Sequence, residues 1–462
     1  MSLRMSAETE APTASPSDAA PRTSVAAGSV ARSAAEATWA LFALLTGVIV
    51  ARHLGPVGKG VVSSMGYLVA LVAPAVTFGL GEAGVTLARG RGIDLRQVVG
   101  TTVSFLLVST VVGTGVLLGL LFLQFGDELA IFHGAIAAAM VSVPAMAAWL
   151  VFSLVVEAEG GLLASSAIKV AVAAVTAVAT AVLVLELELA QAGALAAMAA
   201  GYVAGGVATL AWLWLRRGVA PVPRWDASYI RAALRLGLPV VASYLLLGLA
   251  ARIDLLVVQA IKGSAPAGLY SVALTMGQLV FYAPVAVAVA GFGVAAGLTL
   301  GDVVPFIERA GRTAVAAGLV CAVVLVPVLP FLLPGLFGLG FSQAVGMSLV
   351  LLPAGVLQGL QWVTCRLWAA QGRGRLLGVS CGVMLAVMIA FDLLLIPAHG
   401  GMGAAVAALI ASAVGAVIAV EGHRRYAAGA AALRGFIPGP EDFGRIAGLP
   451  RLIWRRLVGA RR

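Results

Sequence analysis

The sequence predicts an all-α polytopic membrane protein, with about twelve transmembrane helices in two six-helix halves. Three observations carry this. The chain is 61% hydrophobic and 11% charged, whereas charged residues make up about a quarter of an ordinary soluble domain. Its apolar residues come in repeated stretches close to the ~20 residues a helix needs to cross a bilayer. The second half also repeats the layout of the first.

In chain order, residues 1–32 are rich in Ala, Ser, Thr and Pro without an apolar core, which reads as a disordered cytoplasmic tail rather than a signal peptide. Twelve apolar spans follow, at 33–52, 61–88, 98–123, 129–155, 162–185, 190–215, 236–260, 269–298, 313–333, 344–370, 376–396 and 402–421. They group into an N-terminal bundle, 33–215, and a C-terminal bundle, 236–422. Between the bundles lies the longest connection, RRGVAPVPRWDASYIRAALR at 216–235. Pro221 and Pro223 open it, and its second part reads as an amphipathic segment at the headgroup level, arginines toward anionic lipid. Residues 423–462 form a basic tail whose end, EDFGRIAGLPRLIWRRLVGARR, reads as an interfacial segment on the anionic inner leaflet, or else as a partner-binding helix.

The net charge of +10 suggests nucleic acid until its distribution is considered. Of the 30 Lys and Arg residues, Arg52, Lys59 and Lys262 fall on outer turns, and Lys169, Arg252 and Arg366 fall inside spans; every other one falls on one side of the membrane. Positive residues collect inside, which predicts that both termini are cytoplasmic and excludes a nucleic-acid partner. The abundance of Arg over Lys, with much Ala and Gly, fits a GC-rich bacterial genome, and the expected location is the bacterial cytoplasmic membrane. Cys321, Cys365 and Cys381 lie in spans without CxxC spacing and read as small packing residues. The four histidines show no metal-ligand spacing, and no cofactor is expected.

The first outer turn, ARHLGPVGKG at 51–60, imitates a phosphate-binding loop. A true P-loop needs Gly six residues before its lysine and a hydroxyl residue after it. Here those positions hold His53 and Gly60, so the nucleotide reading fails. What remains is a helix stop at Gly55–Pro56 with Arg52 and Lys59 at the mouth of a cavity. The same pattern returns in the second half. LGPVGKGVVSSMGYLVALVAPAV and KGSAPAGLYSVALTMGQLVFYAPVAV each place two glycines five apart (Gly55 and Gly60, Gly263 and Gly268) before a long span holding a proline, Pro74 or Pro284. With six spans per half the repeat is parallel, a plan common in transporters.

ARHLGPVGKG with FGLGEAGVTLARGRG, LRLGLPVVASYLLLGLAARIDLLVVQ with GLYSVA, and PGLFGLGFSQAVGMSLVLLPAGVLQGLQ with LLIPAHGGMGAAVAALIASAVG occur in this order across both halves. Together they resemble the Wzx-type polysaccharide flippases, of the superfamily that also holds multidrug antiporters (MATE) and lipid II flippases. The resemblance implies twelve helices in a MATE-like pair of six-helix bundles around a central cavity, worked by alternating access. It also implies a polyprenyl-diphosphate-linked oligosaccharide as substrate, driven by an ion gradient or membrane potential, with polysaccharide-assembly proteins as candidate partners. The third to sixth spans add little to it, and Asp392 departs from the amide or apolar residue expected there. A lipid II flippase or drug/cation antiporter of the same fold is the alternative. From another class, a membrane glycosyltransferase or polymerase would need catalytic carboxylates on a large outer loop, and the outer loops hold only Asp127–Glu128 and Glu186–Glu188.

Charges within spans cost about 2.5–3.5 kcal/mol each on insertion scales, so they face a cavity or a partner. Arg252 and Asp254 stand about 200° apart on a regular helix and cannot share one cavity unless that helix is distorted. Arg252, with Gln259 near its face, is a candidate for holding the substrate's diphosphate; a structural ion pair is the alternative. Asp254 is a candidate for ion coupling or for pairing elsewhere. Glu82 reads either as a cavity acid able to take a proton or as a partner of Arg89 or Arg91. Arg52, Arg366, Gln358 and Gln361 complete the substrate candidates, although Arg52 also fits an interface anchor, Arg366 a snorkelling side chain, and the glutamines interhelical hydrogen bonding. Asp392 reads as interfacial, and Glu36 as a helix N-terminal charge.

Overall fold

The computed structural model describes residues 22–91, 94–126, 131–427 and 433–444. The Asp127–Glu128 loop, the first 21 residues and most of the basic C-terminal tail therefore lie outside the described residues. Among the described residues twelve α-helices run in chain order: α1 Arg22–Thr77, α2 Leu80–Arg91, α3 Leu95–Phe125, α4 His133–Ala158, α5 Leu162–Thr180, α6 Ala190–Arg217, α7 Ala227–Lys262, α8 Ser264–Gly297, α9 Leu300–Phe337, α10 Ala344–Ala370, α11 Arg375–His399 and α12 Gly401–Tyr426. Among the described residues no strand occurs.

α1 is two spans. Its backbone turns at Gly55, with φ 66° and ψ −170°, a left-handed region that suits glycine, and Pro56 follows at the first position of the next arm, where a missing N–H costs nothing. The arms fold back on each other: Trp39 and Ala70 line one cavity, whereas on a straight helix they would be about 46 Å apart at 1.5 Å per residue. The second span runs through residues 56–77 and continues as α2 after a break at Phe78 and Gly79, φ 48° and 71°. That break follows Pro74, whose ring removes a helical hydrogen bond. Among the described residues eleven helices are long and apolar enough to cross a membrane, and the first of these, Ala34–Ala88, supplies two crossings. The total of twelve agrees with the sequence expectation.

Three boundaries differ from expectation. α1 is already helical from Arg22, inside the tail expected to be disordered. α7 starts at Ala227, because the Asp226 carboxylate accepts from the amides of Ser228 and Tyr229 and caps it. The amphipathic segment is thus the first two turns of a membrane helix, and its apolar residues Tyr229, Ile230 and Ala233 pack on Leu80, Ala83 and Val98 instead of on lipid. α9 extends from Leu300 through the charged stretch Asp302–Arg312 before it turns apolar.

Two main cores result. Met65, Leu68, Leu117 and Phe152 centre the N-terminal lobe, while Tyr270, Met276, Leu351 and Met384 centre the C-terminal lobe. The lobes meet closely at the end bearing the Gly55 and Gly263 turns. Gly263 has φ 81° and ψ −172°, nearly the conformation of Gly55. A methyl group on Gly60 would lie 1.8 Å from the Ser264 carbonyl oxygen, and one on Gly268 would lie 1.9 Å from that of Pro56. The contact is reciprocal, as a pseudo-two-fold axis between the halves requires, and it needs small residues for backbones to touch. Arg52 adds a bond across the same seam. Its guanidinium donates to the carbonyls of Leu336 (2.6 Å) and Gly335, which are orphan acceptors in the last turn of α9.

Candidate functional site

Between the arms of α1, the middles of α5 and α6, and α7 lies a cavity of about 310 Å³. Two cations line it, Lys59 from one lobe and Arg252 from the connecting helix. Lys59 reaches it because the second span starts at Pro56, which places the lysine inside the helix rather than on the turn. Its ammonium lies about 3.5 Å from where a methyl on Gly47 would stand. Arg252 reaches it because α7 is distorted there, with φ −156° and ψ 16°. The Gly248 carbonyl, which a regular helix would pair with the Arg252 amide, accepts the Tyr67 hydroxyl at 2.6 Å. The guanidinium donates to Gln278 Oε1 at 2.6 Å. Among the described residues neither cation has a carboxylate within ion-pair distance.

Asp254 does not share that cavity: it points into the C-terminal lobe, on the side of α7 that the ~200° separation assigns it. It is 2% exposed, and the Tyr270 hydroxyl donates to it at 2.5 Å. Asp392 on α11 belongs to the same group. It lies within electrostatic reach of Asp254 and Tyr270, is 0% exposed, and both its carboxylate oxygens lack a hydrogen-bond partner among the described residues. The interfacial placement read from its position in the sequence is corrected: α11 packs its Asp392 face inward.

A second cavity, of about 350 Å³, lies toward the terminus-bearing end of the N-terminal lobe and contains Glu82. The Tyr244 hydroxyl, which also lines it, sits against the Glu82 carboxylate with Arg366 in electrostatic reach. The alternative partners, Arg89 and Arg91, have side chains outside the described residues. Glu36 is no helix-terminal charge, since α1 begins fourteen residues earlier; it pairs with Lys169 at 2.5 Å.

The other candidates stand elsewhere. Gln259 is buried as a bridge, accepting from Ser64 at 3.2 Å and donating to Ser264 at 2.9 Å. Gln361 donates to Ser380 at 2.9 Å on α11, away from the cavities, and Cys365 on the same helix is buried. Arg366 rests over the rings of Phe292 and Trp362, 5.3 and 5.5 Å from their centroids, an arrangement that holds a cation without an anion. Gln358 is half-buried on α10, and Arg52 is exposed in the seam described above. The structure thus brings Arg252 and Lys59 together, joins Asp392 to Asp254, and leaves Arg52, Gln259 and Gln361 as connectors. Gly55–Pro56 was the sequence signal for Lys59, because a helix starting at 56 includes it.

No family model matches the chain, and no curated protein matches it. Solved structures do. A lipid II flippase, MurJ, in an inward closed conformation superposes with a TM-score of 0.71 at 12% identity, covering 93% of each chain. A multidrug resistance MATE family transporter of the MOP superfamily superposes in its inward-facing conformation with a TM-score of 0.62 at 17% identity, over 84% of this chain and 94% of that one. An outward-facing MATE structure gives 0.60 at 18% identity, over 88% and 96%. The chain therefore has the polytopic helical membrane fold of these transporters and flippases.

Proposed function

We propose that the chain is a flippase that moves a polyprenyl-diphosphate-linked oligosaccharide across the bacterial cytoplasmic membrane by alternating access, with both termini cytoplasmic. The observation that carries this is the pair Lys59 and Arg252 on one membrane-embedded cavity without carboxylate partners. Two neighbouring cations without an ion-pair carboxylate are costly in low dielectric, and a diphosphate is the ligand charge that offsets them through charge-assisted hydrogen bonds. A drug/cation antiporter would require the opposite sign. The sugar would cross beside the cavity walls while the lipid tail stays in the bilayer.

Ion coupling falls to Asp254 and Asp392. A buried carboxylate without a hydrogen-bond partner is stable only when neutralised, so a proton or a monovalent cation held between these acids and Tyr270 would tie ion occupancy to the packing of α7 on α11. The same α7 carries Arg252 two residues away, which supplies the mechanical link between ion and substrate.

The test is transbilayer movement of a fluorescent polyprenyl-diphosphate-linked oligosaccharide in proteoliposomes. Wild-type protein accelerates it, and Lys59→Ala and Arg252→Ala each slow it by about tenfold or more, the loss of one charge-assisted contact. Normal rates in both variants would sink the assignment. Lipid II is the second reading, favoured by the likeness to MurJ; it is separated by supplying peptide-bearing and peptide-free lipids to the same vesicles.

A further inference from the structure

Resting on that reading, we infer that the second cavity is the sugar subsite of the path, and that it selects glycans whose residues next to the diphosphate are neutral or amino sugars rather than uronic acids. The two cavities adjoin along an aromatic stack. Trp39 lies against Trp149 at 5.7 Å and Trp149 against Tyr202 at 5.9 Å, both pairs at 22°. Trp39 and Tyr202 line the first cavity and Trp149 the second, so a ligand holding its diphosphate at Lys59 and Arg252 has its next rings beside this wall.

The lining of the second cavity differs in kind from the first. It offers the carboxylates of Glu82 and Glu157 and the hydroxyls of Ser153, Ser165 and Tyr244. Its two cations are already engaged: Arg32 bonds Glu157 at 2.7 Å and Lys169 bonds Glu36 at 2.5 Å, and Lys169 also lies over the Trp39 ring at 5.6 Å. Ser165 donates to Glu157 at 2.9 Å. Sugar hydroxyls and ammonium groups donate to carboxylates, and the apolar face of a pyranose fits an indole. Glu157 is offset by Arg32, so a uronic acid would bring its carboxylate chiefly against Glu82, while Arg366, the cation in electrostatic reach of that corner, is held over the rings of Phe292 and Trp362; such like-charge juxtaposition costs several kcal/mol.

The experiment uses full-length protein in proteoliposomes with two matched probes, polyprenyl-diphosphate-linked glucose and polyprenyl-diphosphate-linked glucuronic acid. The glucosyl probe is expected to move at least about tenfold faster, a conservative reading of that repulsion. Glu82→Gln narrows the ratio, and Glu157→Gln is the second variant, each first shown to be folded by thermal unfolding in detergent. Lys59→Ala slows both probes alike. Equal rates for the two probes in wild-type protein, or a ratio unmoved by both Gln variants, overturn the subsite and leave the flippase reading standing. Movement of neither probe overturns both.

Discussion

The two halves of the chain build the same turn and then spend their charges differently. Gly55 and Gly263 have nearly the same backbone angles, and Gly60 and Gly268 make the same contact in reverse. Yet the N-terminal half presents Lys59, Glu82, Glu157 and Lys169 on cavity walls, whereas the C-terminal half buries Asp254 and Asp392 in its core. The repeat therefore preserves the backbone that must be small and reciprocal, and leaves side-chain charge free to differ; on the proposed function, that difference divides substrate binding from ion coupling. α7 joins the two regimes, with Arg252 on the cavity and Asp254 in the core.

The largest expected effect strikes what the halves share. Gly60→Ala and Gly268→Ala should each lower stability in thermal unfolding by about 1–3 kcal/mol, the range for overpacking, and flipping should fall with the loss of folded protein. Gly115→Ala, at a site where a methyl meets nothing within 4 Å, should stay near wild type in both measurements. Equal behaviour of Gly60→Ala and Gly115→Ala would break the claim that the seam is shared and tight.

The next effect separates the halves. Asp254→Asn and Asp392→Asn should flatten the dependence of flipping on an imposed ion gradient while leaving binding of the diphosphate lipid within about twofold. Lys59→Ala should weaken that binding about tenfold and keep the ion dependence. Loss of both properties in every variant would mean the charges are not divided as described. Smaller again is Tyr67→Phe, which removes the hydroxyl held by the Gly248 carbonyl. It should lower stability by about 1 kcal/mol in thermal unfolding, the ordinary net worth of one hydrogen bond.

The smallest effect lies at the junction between the halves. The Ser228 hydroxyl and the Tyr229 and Ser228 amides hold the Asp226 carboxylate at a pKa of about 2, below its ordinary 3.8, with Gln97 adding a bond. The folded pKa is depressed, so the cap's contribution is complete above the unfolded value and is lost as pH falls through the folded one. The Tm difference between wild type and Asp226→Ala should thus be constant near neutral pH and shrink between about pH 4 and pH 2. A difference that stays level across that window would show that the cap does not depend on the charge.

The spans and turns were legible in the sequence because each rests on local chemistry: apolar length, Gly at positive φ, Pro after it. The repeat was legible for the same reason. Charge placement was harder, because it depends on which face of a helix meets which neighbour. Hydropathy alone puts Lys59 on a turn, and one helical turn of difference moves it into a cavity. Asp392 looked interfacial from its distance to the span end, but the packing of α11 on α7 decides its burial. Gln259 and Gln361 carried the polarity expected of a lining and use it on other helices. Arg252 and Asp254 were placed on opposite sides by helical geometry, and the structure shows which side each takes.

Lys59 and Arg252 also give the cavity an electrical signature. On the proposed mechanism they travel with the site as access switches, so an empty cavity carries positive charge through the membrane field, and one filled by a diphosphate is close to electroneutral. Moving a charge through the full field is worth about 2.3 kcal/mol per 100 mV. An inside-negative potential then draws the empty carrier back toward the cytoplasm and barely resists the loaded one. The polarity of the bilayer itself would rectify the cycle, and the returning step would register as a current.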